Sequence, residues 1–220
     1  MLSLVMLNWK RHLKLKYRAG KYLQFPIVKE VIIWNNSSVK INIQHSKAIV
    51  INPPVDIGMP SRWLAALHST TDCLLFVDDD AFIPMENIQL LYNHWLEDDT
   101  ILHGFWGRVP KPDNTYAIFV ECKEAEVDIV GCRASMSHKN YVYYMLQHML
   151  TENITQDIKQ NYHEDIYFSY LVQSIVKKNN RVHKPIIDNE VDREDAHAIC
   201  LRPEHARERT LIMHRGQQLL

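Results

Sequence analysis

Residues 74–80 read Leu-Leu-Phe-Val-Asp-Asp-Asp, so a short apolar run leads directly into three adjacent carboxylates. An apolar run of this length is typical of a strand that is buried on both faces. Neighbouring carboxylates repel one another, and a divalent cation would compensate that repulsion. In extended geometry Asp78 and Asp80 would point to one side of the chain and Asp79 to the other. The segment therefore predicts a strand with a candidate Mg²⁺ or Mn²⁺ site at its end, with a solvated acidic turn as the alternative.

Apolar, β-branched runs alternate with amphipathic segments on the N-terminal side of the triplet. They predict strands at 2–7, 31–34, 48–51 and 74–77, and helices at about 14–24, 61–69 and 86–96. This alternation is typical of an α/β domain with a mostly parallel central sheet flanked by helices. In such sheets, ligands bind where the carboxyl ends of the strands meet the following loops. The triplet is predicted to lie at such an end.

The second half of the sequence has a more mixed pattern. It predicts strands at 116–121, 127–130 and 182–187, and helices at 140–150, 164–177 and about 203–214. The pattern contains no internal repeat, low-complexity tract or linker. We therefore expect one domain over residues 1–220.

The composition limits the classes of partner. The chain has 25 Lys and Arg against 26 Asp and Glu, which gives a net charge of -1 and predicts no nucleic-acid partner. Its six glycines never occur as GxGxxG or GxxxxGK, the two common glycine-rich phosphate loops. Any phosphate group must therefore be held by a few local side chains.

The N-terminal segment and the cysteines bear on the compartment. Residues 1–11 hold a short apolar stretch followed by basic residues, and no run of eighteen apolar residues occurs, so neither a signal peptide nor a membrane span is predicted. The four cysteines, Cys73, Cys122, Cys132 and Cys200, form no CxxC pair. We expect a reducing, cytoplasmic location, and the sequons at Asn35, Asn36 and Asn153 are then coincidental.

Taken in order, several short motifs resemble the metal-dependent nucleotide-sugar glycosyltransferases of the GT-A fold, in particular the exostosin-like family 64. They are KR (10–11), VIIWNN (31–36), Arg62, LFVDDD (75–80), GFWGR (104–108), IVG (129–131), EDI (164–166) and RPEHARER (202–209). The chain also resembles the glycosyltransferase domain of large-virus proteins that glycosylate a capsid, which would place it in a host cytoplasm. The resemblance implies a GT-A-like, Rossmann-like domain, with a nucleotide-binding part at about 1–105 and an acceptor and catalytic part at about 106–220.

The resemblance also implies a donor site for a UDP-sugar with Mn²⁺ or Mg²⁺. Asp80 and Asp78 would bind the metal, which would neutralise the diphosphate as a leaving group. The residues implied to hold the nucleotide are Arg11, Asn35, Asn36, Arg62, Asp78, Asp79 and His205. A structural turn explains Asn35 and Asn36 equally, and a structural helical histidine explains His205. His197 and His214 are further candidate metal ligands without support from spacing.

For the reacting centre, the resemblance implies Asp165 beside the anomeric carbon and Arg209 beside the diphosphate. Capping of a helix is the alternative for Asp165. The departures are Glu164, where the family tends to have aspartate, the lack of a membrane anchor, and the regions 111–114 and 188–195, which show no match for the acceptor. The predicted reaction is transfer to a glycan or glycoprotein, with retention of configuration.

Three other functions remain open from the sequence. An inverting family-2-type transferase would use Asp165 as a general base for the acceptor hydroxyl. A haloacid-dehalogenase-like phosphatase would use Asp78 as nucleophile and Asp80 as acid and base, although the residues that follow the triplet do not match. A sugar-binding module would stack glycans on Trp34, Trp63, Trp95 and Trp106, which lie in apolar patterns typical of a core.

Overall fold

The computed structural model of the protein describes residues 1–151, 163–192 and 204–220. The strands are β1 (Leu2–Asn8), β2 (Val28–Asn35), β3 (Ala48–Ile51), β4 (Cys73–Val77), β5 (Ala81–Phe82), β6 (His103–Gly104), β7 (Trp106–Val109), β8 (Ile118–Glu121), β9 (Ala125–Val127), β10 (Ile129–Val130), β11 (Ala134–His138), β12 (Asn180–Val182) and β13 (Glu190–Val191). The helices are α1 (His12–Tyr22), α2 (Ser61–Ala66), α3 (Met85–Glu97), α4 (Asn140–Thr151), α5 (Glu164–Val176) and α6 (His205–Gln217).

The large sheet has eight strands in the order β3-β2-β1-β4-β11-β6-β12-β9. Its first four strands pair in parallel, as do β6 and β12, whereas β11 runs antiparallel to both of its neighbours and β9 runs antiparallel to β12. Helices flank this sheet. The predicted α/β fold with a mostly parallel, Rossmann-like central sheet is confirmed.

β4 is apolar throughout because it contributes to a core on both faces of the sheet. In β4, Leu74 and Phe76 join the cluster under α4 and α5, whereas Leu75 and Val77 join the cluster under α1 and α3. All four side chains are fully buried. Alternation along the strand therefore divides the apolar run between two cores, as expected for a doubly covered sheet.

β1 marks the point at which the strand order reverses. β2 and β3 lie on one side of it and β4 lies on the other. Met6 of β1 pairs in parallel with Val77 of β4, so the segments that follow these two strands emerge at the same edge of the sheet. A crevice for ligands is expected at this switch point. The acidic triplet and Arg11 both lie there.

Two small sheets complete the fold. β10, β7 and β8 form an antiparallel ribbon in which Arg108 lies opposite Ile129 on one side and Phe119 on the other. β13 pairs with β5, so Val191 lies opposite Ala81. This second pairing ties the charge-rich segment near residue 190 to the chain directly after the triplet.

α5 is the most buried helix, and α6 packs closely against it. Nine of the thirteen α5 residues are buried, and Lys177 in the left-handed region (φ 54°) follows its last turn. A Cβ at Gly216 of α6 would lie 2.6 Å from Cδ2 of Tyr170, so only glycine allows this approach. α5 and α6 therefore form a rigid support for the side chains at their N-terminal ends.

The structure corrects several predicted boundaries. The single strand predicted at 127–130 is wrong: β9 and β10 belong to different sheets, and the carbonyl of Asp128 between them accepts hydrogen bonds from Gln173 Nε2 at 2.5 Å and Asn180 Nδ2 at 2.9 Å. The last predicted strand, 182–187, is β12 and ends at Val182, and the helix predicted at 61–69 ends at Ala66. β11 has the sequence ASMSH and was not predicted, because its small and polar residues do not favour a strand. It nevertheless occupies the middle of the large sheet.

The structure also describes the helices and cysteines on which the predicted location depends. In the described ranges, no helix has both the length and the apolar character needed to cross a bilayer. Cys73 and Cys132 are free thiols, and both are buried. Asn153, His197, Cys200, Arg202 and Pro203 lie outside the described residues.

Candidate active site

The acidic triplet forms a turn at the switch point. β4 ends at Val77, and the N–H of Ala81 donates to the carbonyl of Asp78 at 3.2 Å. The side-chain alternation that extended geometry would give therefore does not apply to the triplet. Each carboxylate faces an arginine from a different part of the chain. The pairs are Arg62 Nη2–Asp78 Oδ1 at 2.7 Å, Arg11 Nη1–Asp79 Oδ1 at 2.5 Å and Arg133 Nε–Asp80 Oδ1 at 3.9 Å. The protein's own guanidinium groups therefore offset the repulsion that the sequence pattern alone assigned to a metal.

The backbone of the triplet is also held in place. Arg18 of α1, which is 6% exposed, donates to the carbonyl of Asp79 at 2.5 Å and contacts Asp192 Oδ1 at 3.2 Å. The N–H of Asp192 in turn donates to the carbonyl of Asp80 at 2.9 Å. The acidic segment near residue 190 thus supports the triplet, although no sequence motif predicted a role for it.

Arg62 is 1% exposed and is shared between two carboxylates. Its Nη2 contacts Asp78, and its Nε donates to Glu164 Oε1 at 3.1 Å. Burial opposes the charge of Arg62, yet the surrounding anionic groups raise its pKa. Burial raises the pKa of Glu164 to about 7, against the opposing effect of Arg62 and with the support of neighbouring Asp165. The two shifts are compatible because one cation serves two anions, so neither carboxylate has a full countercharge.

We expect a Glu164→Gln variant to lose part of the pH dependence of stability. The folded-state pKa of about 7 lies above the ordinary 4.5, so the contribution of Glu164 is complete below pH 4.5 and is lost as the pH rises through 7. At about 1.4 kcal/mol per pKa unit, the loss is roughly 3 kcal/mol. Urea unfolding of both proteins at about pH 5 and pH 8 measures it. If the difference in unfolding free energy between wild type and Glu164→Gln is the same at both pH values, the raised pKa of Glu164 is contradicted.

Asp80 has the environment of a carboxylate that binds a cation. Burial, followed by the charge of Asp78, raises its pKa to about 6. Its Oδ1 atom is buried and accepts no hydrogen bond from the residues that the structure describes. Within the same residues, no three His, Cys, Asp or Glu side chains converge on one point. The site thus fits a Mg²⁺ or Mn²⁺ ion held by one or two carboxylates and completed by phosphate oxygens, not one held by protein ligands alone.

A small pocket of about 80 Å³ joins the triplet to the N-terminus of α5. Its lining residues are Asp78, Trp106, Arg108, Tyr116, Ile129, Gly131, Cys132, Arg133, Asp165 and Arg209. Asp165 accepts a hydrogen bond from the N–H of Ile166 at Oδ1, at 2.9 Å, whereas Oδ2 lies 3.7 Å from where a Cβ on Gly131 would be. One carboxylate oxygen is therefore held by the helix and the other faces the pocket across a glycine.

Arg209 of α6 lines the same pocket as Asp165. Its Nε donates to Nδ1 of fully buried His163 at 3.3 Å, and its Nη1 donates to the hydroxyl of Tyr116. The guanidinium carbon lies 4.9 Å from the centroid of the Tyr116 ring. Two side chains thus fix the orientation of the guanidinium. The predicted pair Asp165 and Arg209 is brought together at one pocket that Asp78 also lines.

Comparison with models of protein families matches residues 2–218 to the glycosyl transferase family 64 domain. The chain belongs to glycosyl transferase family 64. A family 64 protein needs a sugar donor and an acceptor, and this membership favours glycosyl transfer over the phosphatase and the sugar-binding module. The match covers the triplet, Asp165 and Arg209 alike.

In this family 64 chain, Asn35 and Asn36 lie at the carboxyl end of β2 and are engaged within the protein. Asn35 is 1% exposed and donates to Asn52 Oδ1 at 2.7 Å and to the carbonyl of Val39 at 2.9 Å, while its Oδ1 accepts from Asn8 at 2.6 Å. Asn36 Nδ2 donates to Ser61 Oγ at 3.0 Å. Both amides organise the loops at the switch point, and a role in nucleotide binding stays a prediction.

The predicted histidines have different surroundings. His205 opens α6, and its ring lies 5.1 Å from that of His163, which contacts Arg209. Nε2 of His214 contacts the carbonyl of Asn114 at 2.7 Å, on the outer part of α6. His205 of the family 64 domain thus lies beside His163, which contacts Arg209. His214 lies with the loop around residue 114.

Sequence reasoning missed Tyr116, Gly131 and Arg133, which the structure places in the pocket. Tyr116 was predicted only as the start of a strand, and Arg133 lies between β10 and β11 without a motif. The one available signal was Gly131, within the IVG segment of the family 64 pattern. A glycine at the end of a strand can mark close approach of a ligand to the backbone.

Proposed function

We propose that this family 64 chain is a metal-dependent glycosyltransferase of GT-A-like, exostosin-like type, which transfers a sugar from a UDP-sugar to a glycan or glycoprotein acceptor with retention of configuration. The observation that carries the proposal is that Asp78, Asp165 and Arg209 line the same pocket. Its volume of about 80 Å³ is suited to the reacting atoms of a sugar, with the nucleotide outside it at the switch point.

The diphosphate would lie at the triplet. Asp80 and Asp78 would hold Mn²⁺ or Mg²⁺, which when bound supplies a Lewis acid that neutralises the departing diphosphate. Arg11 and Arg133 lie at the same turn, and their guanidinium groups match phosphate oxygens. The few local side chains would then replace a glycine-rich phosphate loop. Arg62, which is buried, supports this proposal by orienting Asp78.

At the reacting centre, Asp165 and Arg209 would act on opposite charges. The pocket-facing oxygen of Asp165 would stabilise positive charge on the anomeric carbon, and Arg209 would stabilise negative charge on the departing UDP. The inverting alternative uses Asp165 to take the proton of the acceptor hydroxyl. NMR of the product's anomeric proton distinguishes the two, because an inverted product requires the general-base role.

The decisive test of the donor site is the metal dependence of UDP binding. We expect an Asp80→Asn variant to lose the increase in UDP affinity that Mn²⁺ produces, because the amide removes the negative charge that the cation needs. The expected effect is a loss of about 100-fold in affinity, typical of a damaged metal site. Calorimetric titration of UDP with and without Mn²⁺ measures it.

Asp72→Asn is the matched control for this test. Asp72 precedes the same strand, β4, at its other end, and it is exposed. We expect it to bind UDP as the parent protein does in both conditions. Equal UDP affinity of the parent protein with and without Mn²⁺ would overturn the proposed donor site.

A further inference from the structure

Phe119 is an exposed aromatic residue on the face of the β10-β7-β8 ribbon that carries the pocket. It is 61% exposed. Phe119 lies directly opposite Arg108 in the antiparallel pair, so the two side chains share one face of the ribbon. Trp106 and Arg108 both line the pocket. The register therefore places Phe119 beside the mouth of that pocket, at the outer strand of the ribbon.

The ring is oriented from one side only. The guanidinium carbon of Arg108 lies 3.9 Å from the centroid of the Phe119 ring. Arg108 also donates to the carbonyl of Gly107 at 2.7 Å and lies 3.7 Å from Glu121 Oε1. With one face against a positioned guanidinium and most of its surface exposed, the ring presents its other face to solvent. The ring therefore offers a positioned aromatic face on which a ligand can stack.

Glu121 adds a polar group to the same face. It lies opposite Trp106 in the register, two residues from Phe119, and its side chain is 35% exposed. An apolar ring with an adjacent carboxylate matches a pyranose, whose C–H groups pack on an aromatic face while its hydroxyls donate to oxygen acceptors. Three of the four tryptophans considered for such stacking, Trp63, Trp95 and Trp106, cannot serve because they are at most 9% exposed. The fourth, Trp34, lies on β2 of the large sheet and not on this ribbon.

We propose that Phe119 and Glu121 form a subsite for a sugar ring of the acceptor glycan. This proposal rests on the proposed glycosyl transfer and extends it to the acceptor side. The donor belongs at the switch point of the large sheet, where the triplet lies, whereas Phe119 lies beyond Arg108 on the outermost strand of the small sheet. A ring on Phe119 would direct the acceptor toward the pocket that holds Asp165 and Arg209.

Saturation-transfer NMR with simple glycosides tests the subsite without any turnover. The probes are the methyl β-glycosides of glucose, galactose, N-acetylglucosamine and N-acetylgalactosamine, added singly to the full chain with UDP and Mn²⁺. We expect at least one of them to receive saturation from the wild-type protein. Phe119→Ala should weaken its binding by about 10-fold, and Phe119→Trp should retain it, since a larger ring offers the same face. Tyr143→Ala, which removes an aromatic side chain of 50% exposure from α4, should have no effect.

The proposal is overturned if no glycoside in the panel binds the wild-type protein, or if Phe119→Ala binds as tightly as wild type. Metal-dependent UDP affinity, measured in the same samples, reports separately on the donor site. Loss of glycoside binding in Phe119→Ala with unchanged UDP affinity supports the subsite. Glycoside binding that depends on Phe119 in a protein with no metal-dependent UDP affinity leaves the subsite standing and counts only against the proposed donor chemistry.

Discussion

An Asp165→Asn variant is expected to bind UDP with unchanged affinity and to lose sugar transfer by about 10³-fold, the usual cost of removing one preorganised charge from a reacting centre. The amide has the same shape as the carboxylate and can still accept the hydrogen bond that the N–H of Ile166 donates at 2.9 Å. What it lacks is negative charge on the oxygen that faces the pocket. The ground-state complex should therefore form, whereas the positively charged transition state should not be stabilised.

The measurement is UDP release from a UDP-sugar with Mn²⁺, together with the UDP dissociation constant of each protein. Asp99→Asn is the control. Asp99 is an exposed aspartate just after α3, so this substitution removes the same charge at a position away from the pocket. We expect a small loss of stability in Asp165→Asn, about 0.3–1 kcal/mol, because an acidic residue leaves the first turn of α5. A variant that keeps wild-type kcat would exclude Asp165 from the chemistry and assign it to capping alone.

The second large effect is on stability. An Arg62→Met variant is expected to lose about 3–5 kcal/mol of unfolding free energy, because it leaves the buried Glu164 carboxylate without a cation. For a chain of this size, that corresponds to a fall of roughly 10 °C in melting temperature. Methionine has a similar length and keeps the packing of the stem, so the loss reports on charge. Thermal and urea unfolding at pH 8, where Glu164 is ionised, measure it.

Two further variants separate charge from packing. Arg181→Met breaks a comparable pair with Glu126, but both side chains are more than half exposed, and we expect a change of less than about 1 kcal/mol. The double variant Arg62→Met with Glu164→Gln should recover much of the loss, since it removes the unpaired anion too. A double variant as unstable as the single one would show that Arg62 acts through packing, not through its charge.

Much of the N-terminal half could be predicted because its signals are local. β3 and β4 are continuous apolar runs, and β1 is apolar from Leu4 to Leu7. α3 places Ile88, Leu91 and Trp95 on one buried face. β11 could not be predicted in the same way. Its Ser135 and Ser137 are almost fully buried at the centre of the sheet, where pairing with β4 decides their conformation and not their own preference. Tertiary pairing of this kind leaves no trace in a short window of sequence.

The residues of the candidate site also differ in how far the sequence predicts them. The triplet follows from its own strand, and Asp165 and Arg209 follow from the order of motifs along the chain. The partners that orient them are distant in sequence: Arg209 depends on Tyr116 and on His163. The sequence around positions 116 and 163 does not predict these contacts with Arg209, because they form only when α6 packs on α5.

The pairing of each triplet carboxylate with its own arginine has a consequence for how the chain folds. The three arginines come from the segment after β1, from α2 and from the loop before β11, so they reach the turn only when three separate regions have assembled. A partly folded chain would hold three adjacent anions with some of their countercharges missing, and such an intermediate is unfavourable. The same acidic turn that would receive the donor thus makes folding more cooperative, since its countercharges come together only in the complete domain.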